Sequence, residues 1–330
     1  FPDSPSSTVS PVEALVGQHV ATWSQREREV ELAGRCRLPS ETVHDFRSSG
    51  ILVAPVPLEL GGLGQTLYQV VQAVLTVARR APSTALCLAM PLGNAANTRI
   101  PDHAVHPELL AQLRRGRAWI AERAAEGAIL AVANSEPGAG GDLNATKTRA
   151  RVDAAGQVRL TGHKSFATLG PDADYFLCSA RRSEGQLDAF FVARDGEGVS
   201  LLEDWDALGM RATASVGVVL DDAPAESSFV YPGAIAGVSA RHWSTILIAA
   251  VFVGVGEGAL EAAVEGTTTS SDWARSSLAE CALRLDAARG FLEGMAREDC
   301  IPSTRSYEDR CRRAKTFAAQ TALETATRAM

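Results

Sequence analysis

The stretch ANSEPGAGGDLNATKTRARV (133–152) decides how the chain is read. Pro137 follows Glu136, the glycines Gly138, Gly140 and Gly141 fall together, and Asp142 closes the run. Glycine loses more conformational freedom on ordering than any other residue. A fixed segment of this kind implies something bound close against its backbone. The run also sits where the chain changes period, from helix before about residue 129 to strand after it.

Outward from that point the N-terminal side reads as helix. SPVEALVGQHVATW opens with a capping box: Ser10 as N-cap, Pro11 at the first helical position, and Glu13 to reach back. A second start follows at LPSETVHDFRSSG, with a stop near Gly50. TLYQVVQAVLTVARRA and HPELLAQLRRGRAWIAERAAEG carry apolar residues three and four apart, the amphipathic helical pattern. VAPVPLELGGLG (53–64) between them reads as a loop, broken by Pro55, Pro57 and its glycines.

On the other side, short β-rich runs alternate with Gly, Asp and Pro turns: AILAVANS, DYFLCSARR, LDAFFVARD and VGVVLDDA. RARVDAAGQVRLTG has alternation on both arms of a hairpin. So many strands in about a hundred residues suggest a compact antiparallel barrel or sandwich. From about residue 236 helix returns in three long segments whose apolar faces would pack as a bundle. GVGEGA (254–259) matches a dinucleotide-binding fingerprint, but no second β-run follows it. It reads as part of a buried helix whose small residues allow close packing.

Bulk properties bound the function. The chain has 330 residues, a net charge of −7 and 46% hydrophobic residues. It is long enough for two or three packed units and too apolar for disorder. An acidic chain without a basic stripe gives no electrostatic reason to expect nucleic acid. The six cysteines lie far apart, with no CxxC and no spacing that fits a metal. They read as buried or idle thiols of a reducing compartment. FPDSPSSTVS at the start is a polar Pro/Ser segment, not a signal peptide. The longest uncharged run, His242 to Gly256, is shorter than the roughly 20 residues of a membrane span. The expectation is a soluble, cytoplasmic protein without a membrane span.

Three motifs occur in order: SEPGAGGD, then LTGHKSFATLGPDADYFLCSAR, then WDALGMRATASVGVVLDD. Taken together, inside a helix–strand–helix chain, they resemble the acyl-CoA dehydrogenase family of flavoproteins. GILVAPVPLELGGLG (50–64) is similar to that family's N-terminal segment. The resemblance runs from about residue 10 to the C-terminus and is strongest over 129–223. It implies an α+β chain: an N-terminal helical domain (1–128), a central antiparallel β-barrel domain (129–235) and a C-terminal helical bundle (236–330). It also implies FAD, extended between barrel and bundle, in a homo-oligomer (dimer or tetramer) whose neighbouring subunit completes the site.

Residue by residue, the resemblance implies that Ser135, with Glu136 and Pro137, runs along the flavin ring. Val132, Asn134, Gly140 and Gly141 would share in holding the cofactor. Backbone N–H groups and a hydroxyl would donate to the ring and stabilise its reduced, anionic form. Phe166 would cover one flavin face, or be a core aromatic. Thr168 would bond near the atom that accepts hydride. Arg211 lies in a segment near the substrate, and a surface ion pair is an equal reading of it. His163 reads as a surface residue, while His242 opens the long helix beside the substrate cavity.

The chain departs from the family at its catalytic base. Dehydrogenation of an acyl thioester needs a carboxylate to remove the α-proton while the β-hydrogen leaves as hydride. Most relatives carry that glutamate beyond the point where this chain stops, so the bundle reads as incomplete. Others carry it at the position of Ser244. Thr245 stands where an arginine usually holds CoA, Gly141 replaces a serine on the substrate side, and EGTTTSSDW stands where a phosphate-contacting segment is usual. The resemblance therefore implies α,β-dehydrogenation of a CoA- or carrier-bound acyl thioester, with an electron-transfer partner. One alternative is a flavin-dependent monooxygenase on the same fold, which uses oxygen on nitrogen, sulfur or aromatic carbon. Another is an inactive scaffold.

Overall fold

In the computed structural model, the described residues are 9–139, 142–183, 185–229, 241–266, 271–301 and 303–330. The first helix, α1 (Pro11–Leu32), begins at the capping box read from the sequence. Ser10 Oγ accepts from the Glu13 N–H, and the Glu13 carboxylate accepts from the Ser10 N–H at 3.0 Å. α2 (Ser40–Ser48) is followed by Gly50 at φ 79°, a left-handed stop that glycine adopts freely. α3 (Leu67–Ala78), α4 (Pro82–Ala95) and α5 (Leu110–Ala125) complete the N-terminal helices.

α4 has no counterpart among the helices read from the sequence. All of its residues except Pro82 and Leu86 are buried, so it carries no polar stripe to give a period. Pro91 and Gly93 interrupt it as well, and a helix apolar all round belongs at the centre of a structure. It lies under the functional region.

The strands are β1 (Leu130–Val132), β2 (Arg149–Val152), β3 (Val158–Ala167), β4 (Tyr175–Arg181), β5 (Leu187–Ala193), β6 (Val199–Leu201), β7 (Val216–Pro224) and β8 (Ser227–Phe229). β2 and β3 form the expected hairpin, with Gly156 at φ 83° in its turn. All eight strands join one sheet in the order β6-β7-β3-β2-β4-β5-β8, with β1 added in parallel to β4. This corrects the expected antiparallel barrel. Among the described residues the edge strands β6 and β8 do not pair, so the sheet stays open, and β2 meets β4 in parallel at Arg149 and Arg181. Strand alternation gives each strand's faces but not which strands meet at the edges.

α6 (Arg241–Gly266), α7 (Asp272–Glu298) and α8 (Arg305–Ala329) form the C-terminal bundle. α6 is long and apolar enough to cross a membrane by length and composition, yet it packs against α3, α4, α7 and α8. GVGEGA lies inside it. A Cβ on Gly254 would stand 2.5 Å from Ala78 Cβ, and one on Gly258 2.5 Å from Arg79 O. The small residues are there for helix–helix approach, as the sequence reading held.

One apolar cluster joins the N-terminal helices to α6, α7 and α8, and a second lies within the sheet region. Salt bridges tie the N-terminal region to the segment before β4: Arg37, between α1 and α2, binds Asp172 through Nε at 2.9 Å, and Arg47 of α2 binds Asp174.

Candidate functional site

The glycine-rich run is held by its one buried charge. The Glu136 carboxylate accepts from Lys147 N (2.7 Å), Thr148 N (3.1 Å), Thr148 Oγ1 (2.6 Å) and Lys164 Nζ (2.7 Å). Lys164, fully buried on β3, also donates to Ser179 O at 2.6 Å. Burial alone would push the Glu136 carboxyl up. The Lys164 ammonium, the Thr148 hydroxyl and the Lys147 N–H outweigh it and hold the group at about 2. This ion pair pins the segment to β3.

Ser135 is thereby set beside the end of β3: the Ser165 N–H donates to Ser135 O at 2.8 Å. The Ser135 hydroxyl is half-buried and has no partner among the described residues. Phe166 is 55% exposed, a large apolar ring left uncovered, and its edge packs on Trp205 with centroids 5.5 Å apart. Trp205 is fixed in turn by donating from Nε1 to Arg211 O at 2.9 Å.

Thr168 begins a row of hydroxyls. Its Oγ1 lies 2.9 Å from Ser215 Oγ, which lies 2.8 Å from Thr213 Oγ1. Thr213 is fully buried and Ser215 nearly so, whereas Thr168 is half-exposed. Each hydroxyl has one proton, and a buried one must be used. Among the described residues Thr213 has only Ser215 to donate to, and Ser215 then has only Thr168. That polarity leaves the Thr168 proton free to point outward.

α4 closes the other side. Asn94 Nδ2 donates to Leu130 O at 2.7 Å, tying α4 to β1 just before the glycine-rich run. The adjacent Gly93 meets Ser244 of α6: a Cβ on Gly93 would stand 2.5 Å from Ser244 Oγ. The structure thus brings Ser135, Phe166 and Thr168 together, with Ser244 linked to them through Gly93, Asn94 and β1.

The remaining sequence-read residues are engaged elsewhere or support the site. Val132 belongs to the β1–β4 pairing, and Asn134 Oδ1 accepts from the Ser179 N–H at 3.0 Å. Arg211 donates to Asp206 (2.7 Å), Ala207 O (2.8 Å) and Cys36 Sγ (3.1 Å), a surface cluster that braces the Trp205 loop. Thr245 donates to Arg241 O at 3.3 Å and faces a groove against Arg312 of α8. His242 is buried, with Nε2 3.0 Å from Asp299 Oδ1, which also accepts from Trp243 Nε1. Gly140 and Gly141, and 267–270 within EGTTTSSDW, lie outside the described residues.

Sequence reasoning missed Glu136 as an anchor, and Thr213, Ser215, Trp205 and Asn94 altogether. The signal for Glu136 was present: a lone carboxylate before glycines and a lone lysine on an apolar strand call for each other. Among these groups, a flat heterocycle with acceptor atoms along one edge would find donors in Ser135 and Thr168 and an uncovered ring in Phe166. No Asp or Glu occupies 241–248, the first two turns of α6.

Residues 131–223 match the family described as the acyl-CoA dehydrogenase middle domain. The amino sugar nitrososynthase RubN8 of Streptomyces rubradiris is 31% identical over 246 residues, 69% of this chain and 54% of that protein. The putative acyl-CoA dehydrogenase YdbM of Bacillus subtilis (strain 168) is 24% identical over 261 residues, 76% of this chain and 64% of that protein. A solved structure of KijD3 with FMN and dTDP-3-amino-2,3,6-trideoxy-4-keto-3-methyl-D-glucose superposes with a TM-score of 0.79 at 26% identity. It covers 99% of this chain and 86% of that one. The chain spans about half the length of the nitrososynthases it matches, 54–55% of each. With the middle domain at its centre and this helix–sheet–helix order along its length, the chain belongs to the acyl-CoA dehydrogenase superfamily, which also holds flavin-dependent monooxygenases.

Proposed function

We propose that the chain is a flavin-dependent monooxygenase that oxidises the nitrogen of an amine-bearing sugar nucleotide. The observation that carries this reading is Ser244. It packs on Gly93, at the position where the family resemblance expects the base of some dehydrogenases. A serine hydroxyl does not ionise near neutral pH and is no base for an α-proton. Oxidation of an amine nitrogen needs none, because the nitrogen lone pair itself attacks. The likeness to RubN8 and to KijD3, bound to FMN and an amino sugar nucleotide, supports the same direction.

In this reading a bound, reduced flavin would supply two electrons and activate oxygen. One oxygen atom enters the amine, the other leaves as water, and the reduced flavin balances the electrons. Ser135 and Thr168 would donate to the ring edge, Phe166 would cover a face, and the buried α4 would keep water from beneath. The resemblance implies FAD and KijD3 binds FMN; both share the ring these residues would hold.

The alternative, dehydrogenation of an acyl thioester, is supported by the likeness to YdbM and fits Ser135 and Thr168 equally well. An anaerobic experiment separates the two. The flavin-loaded chain is mixed with a panel of acyl-CoA esters while the visible flavin absorbance is followed. The proposed function predicts no bleaching by any ester; rapid bleaching would overturn it.

A further inference from the structure

Arg149 and Arg181 are direct partners where β2 and β4 run in parallel. Like charges opposite each other weaken a sheet, so the pair calls for an anion. Neither has a carboxylate partner among the described residues. Arg181 uses its guanidinium on backbone: Nε donates to Thr146 O at 3.0 Å, Nη1 to Gly185 O at 3.0 Å and Nη2 to Asn144 O at 2.5 Å. Those bonds fix its direction without neutralising it. The exposed side chains of Arg149 and Lys147 form no hydrogen bond or ion pair among the described residues.

Strand alternation puts Lys147, Arg149 and Arg151 on one face, with Thr161 opposite Arg149. They line a groove of about 780 Å³ with Arg181 and Arg182. Arg151 is neutralised by Asp222 and Arg182 by Asp188. Among the described residues Lys147, Arg149 and Arg181 have no carboxylate partner, in a chain whose net charge is −7.

We propose that this groove binds a phosphate or diphosphate group. Guanidinium forks match phosphate oxygens in pairs, and Lys147 adds a point charge. The groove adjoins the glycine-rich run: Arg181 holds the carbonyls of Asn144 and Thr146, and the Lys147 N–H holds Glu136. Two ligands of the proposed reaction carry this chemistry, the sugar nucleotide and the flavin phosphate. Only that choice of ligand rests on the proposed function.

The test is calorimetric titration of the whole chain with inorganic pyrophosphate, without flavin or substrate, so it stands or falls apart from the oxygenase reading. The expected result is saturable binding that weakens with added salt and falls at least tenfold in Arg149→Glu. Lys147→Glu is a second variant should the first not fold. Arg35→Glu, at an exposed residue of another region, makes the same charge change and should leave binding intact. Equal binding by Arg149→Glu and Arg35→Glu, or none by the parent chain at low salt, would overturn the proposal. Displacement by dTDP assigns the groove to the nucleotide. Displacement by FMN but not riboflavin assigns it to the flavin, and displacement by neither overturns both assignments.

Discussion

Glu136 and Thr168 show how much a single side chain decides here. The folded Glu136 carboxyl sits at about 2, against 4.5 unperturbed. Its pKa is depressed, so the stability it adds is fully present above pH 4.5 and is lost as pH falls toward 2. The shift corresponds to about 3 kcal/mol. Glu136→Gln should therefore be less stable than the parent by roughly 3 kcal/mol at pH 7, since it also strands buried Lys164. The gap should shrink as pH drops from 4.5 toward 2, measured by denaturant unfolding across that range. A gap constant with pH would remove the ion pair as the anchor.

The hydroxyl row makes a separate prediction. Ser215→Ala removes the bond that orients Thr168 and should weaken flavin binding about fivefold, as should Thr168→Val. Because Ser215 acts through Thr168, the double variant should be little worse than either single one, followed by flavin fluorescence titration. Additive losses would mean that Ser215 supports the fold rather than the hydroxyl. If Thr168→Val binds flavin like the parent, the cofactor lies elsewhere.

At the scale of elements, the sequence told most where a rule is local. The capping box at Ser10, the α6 glycines and the β2–β3 hairpin are each decided within a few residues, and each is legible. α4 is not, because a helix buried on all sides shows no period. The open sheet is not, because pairing across the sheet depends on residues far apart in the chain. The hydroxyl row and the Asn94 tie are long-range contacts of the same kind. The motif residues Ser135, Phe166 and Thr168 were legible only through resemblance; their convergence depends on Glu136 and Lys164, which link 136 to 164.

The reading of α6 as a close-packed helix is testable. Gly258→Ala would place a Cβ 2.5 Å from the backbone oxygen of Arg79, and backbone cannot step aside cheaply. It should cost about 1–3 kcal/mol. Gly290→Ala on exposed α7 has nothing within 4 Å and should gain about 0.5–1 kcal/mol from helix propensity. Thermal melts of the two variants should shift in opposite directions; equal shifts would mean that α6 is not pressed on α3.

For the whole molecule, helices below and beside an open sheet leave one region where an anchored glycine-rich segment, an uncovered aromatic ring and an outward-facing hydroxyl meet. A groove adjoins it that carries three cations with no carboxylate partner among the described residues. On the proposed reading, this region would take a flat ring and a polar, anionic substrate. Oxygen transfer also makes a demand that dehydrogenation does not: an atom of molecular oxygen must appear in the product.

The most direct measurement follows from that. The chain is given reduced FMN or FAD, isotopically labelled oxygen (¹⁸O₂) and the amino sugar nucleotide bound by KijD3, and the product is weighed by mass spectrometry. Flavin-dependent nitrogen oxidation predicts a labelled oxygen atom on the sugar nitrogen, absent without flavin and reduced with Thr168→Val at limiting flavin. An unlabelled substrate recovered from flavin-bound protein, together with flavin bleaching by an acyl thioester, would contradict it.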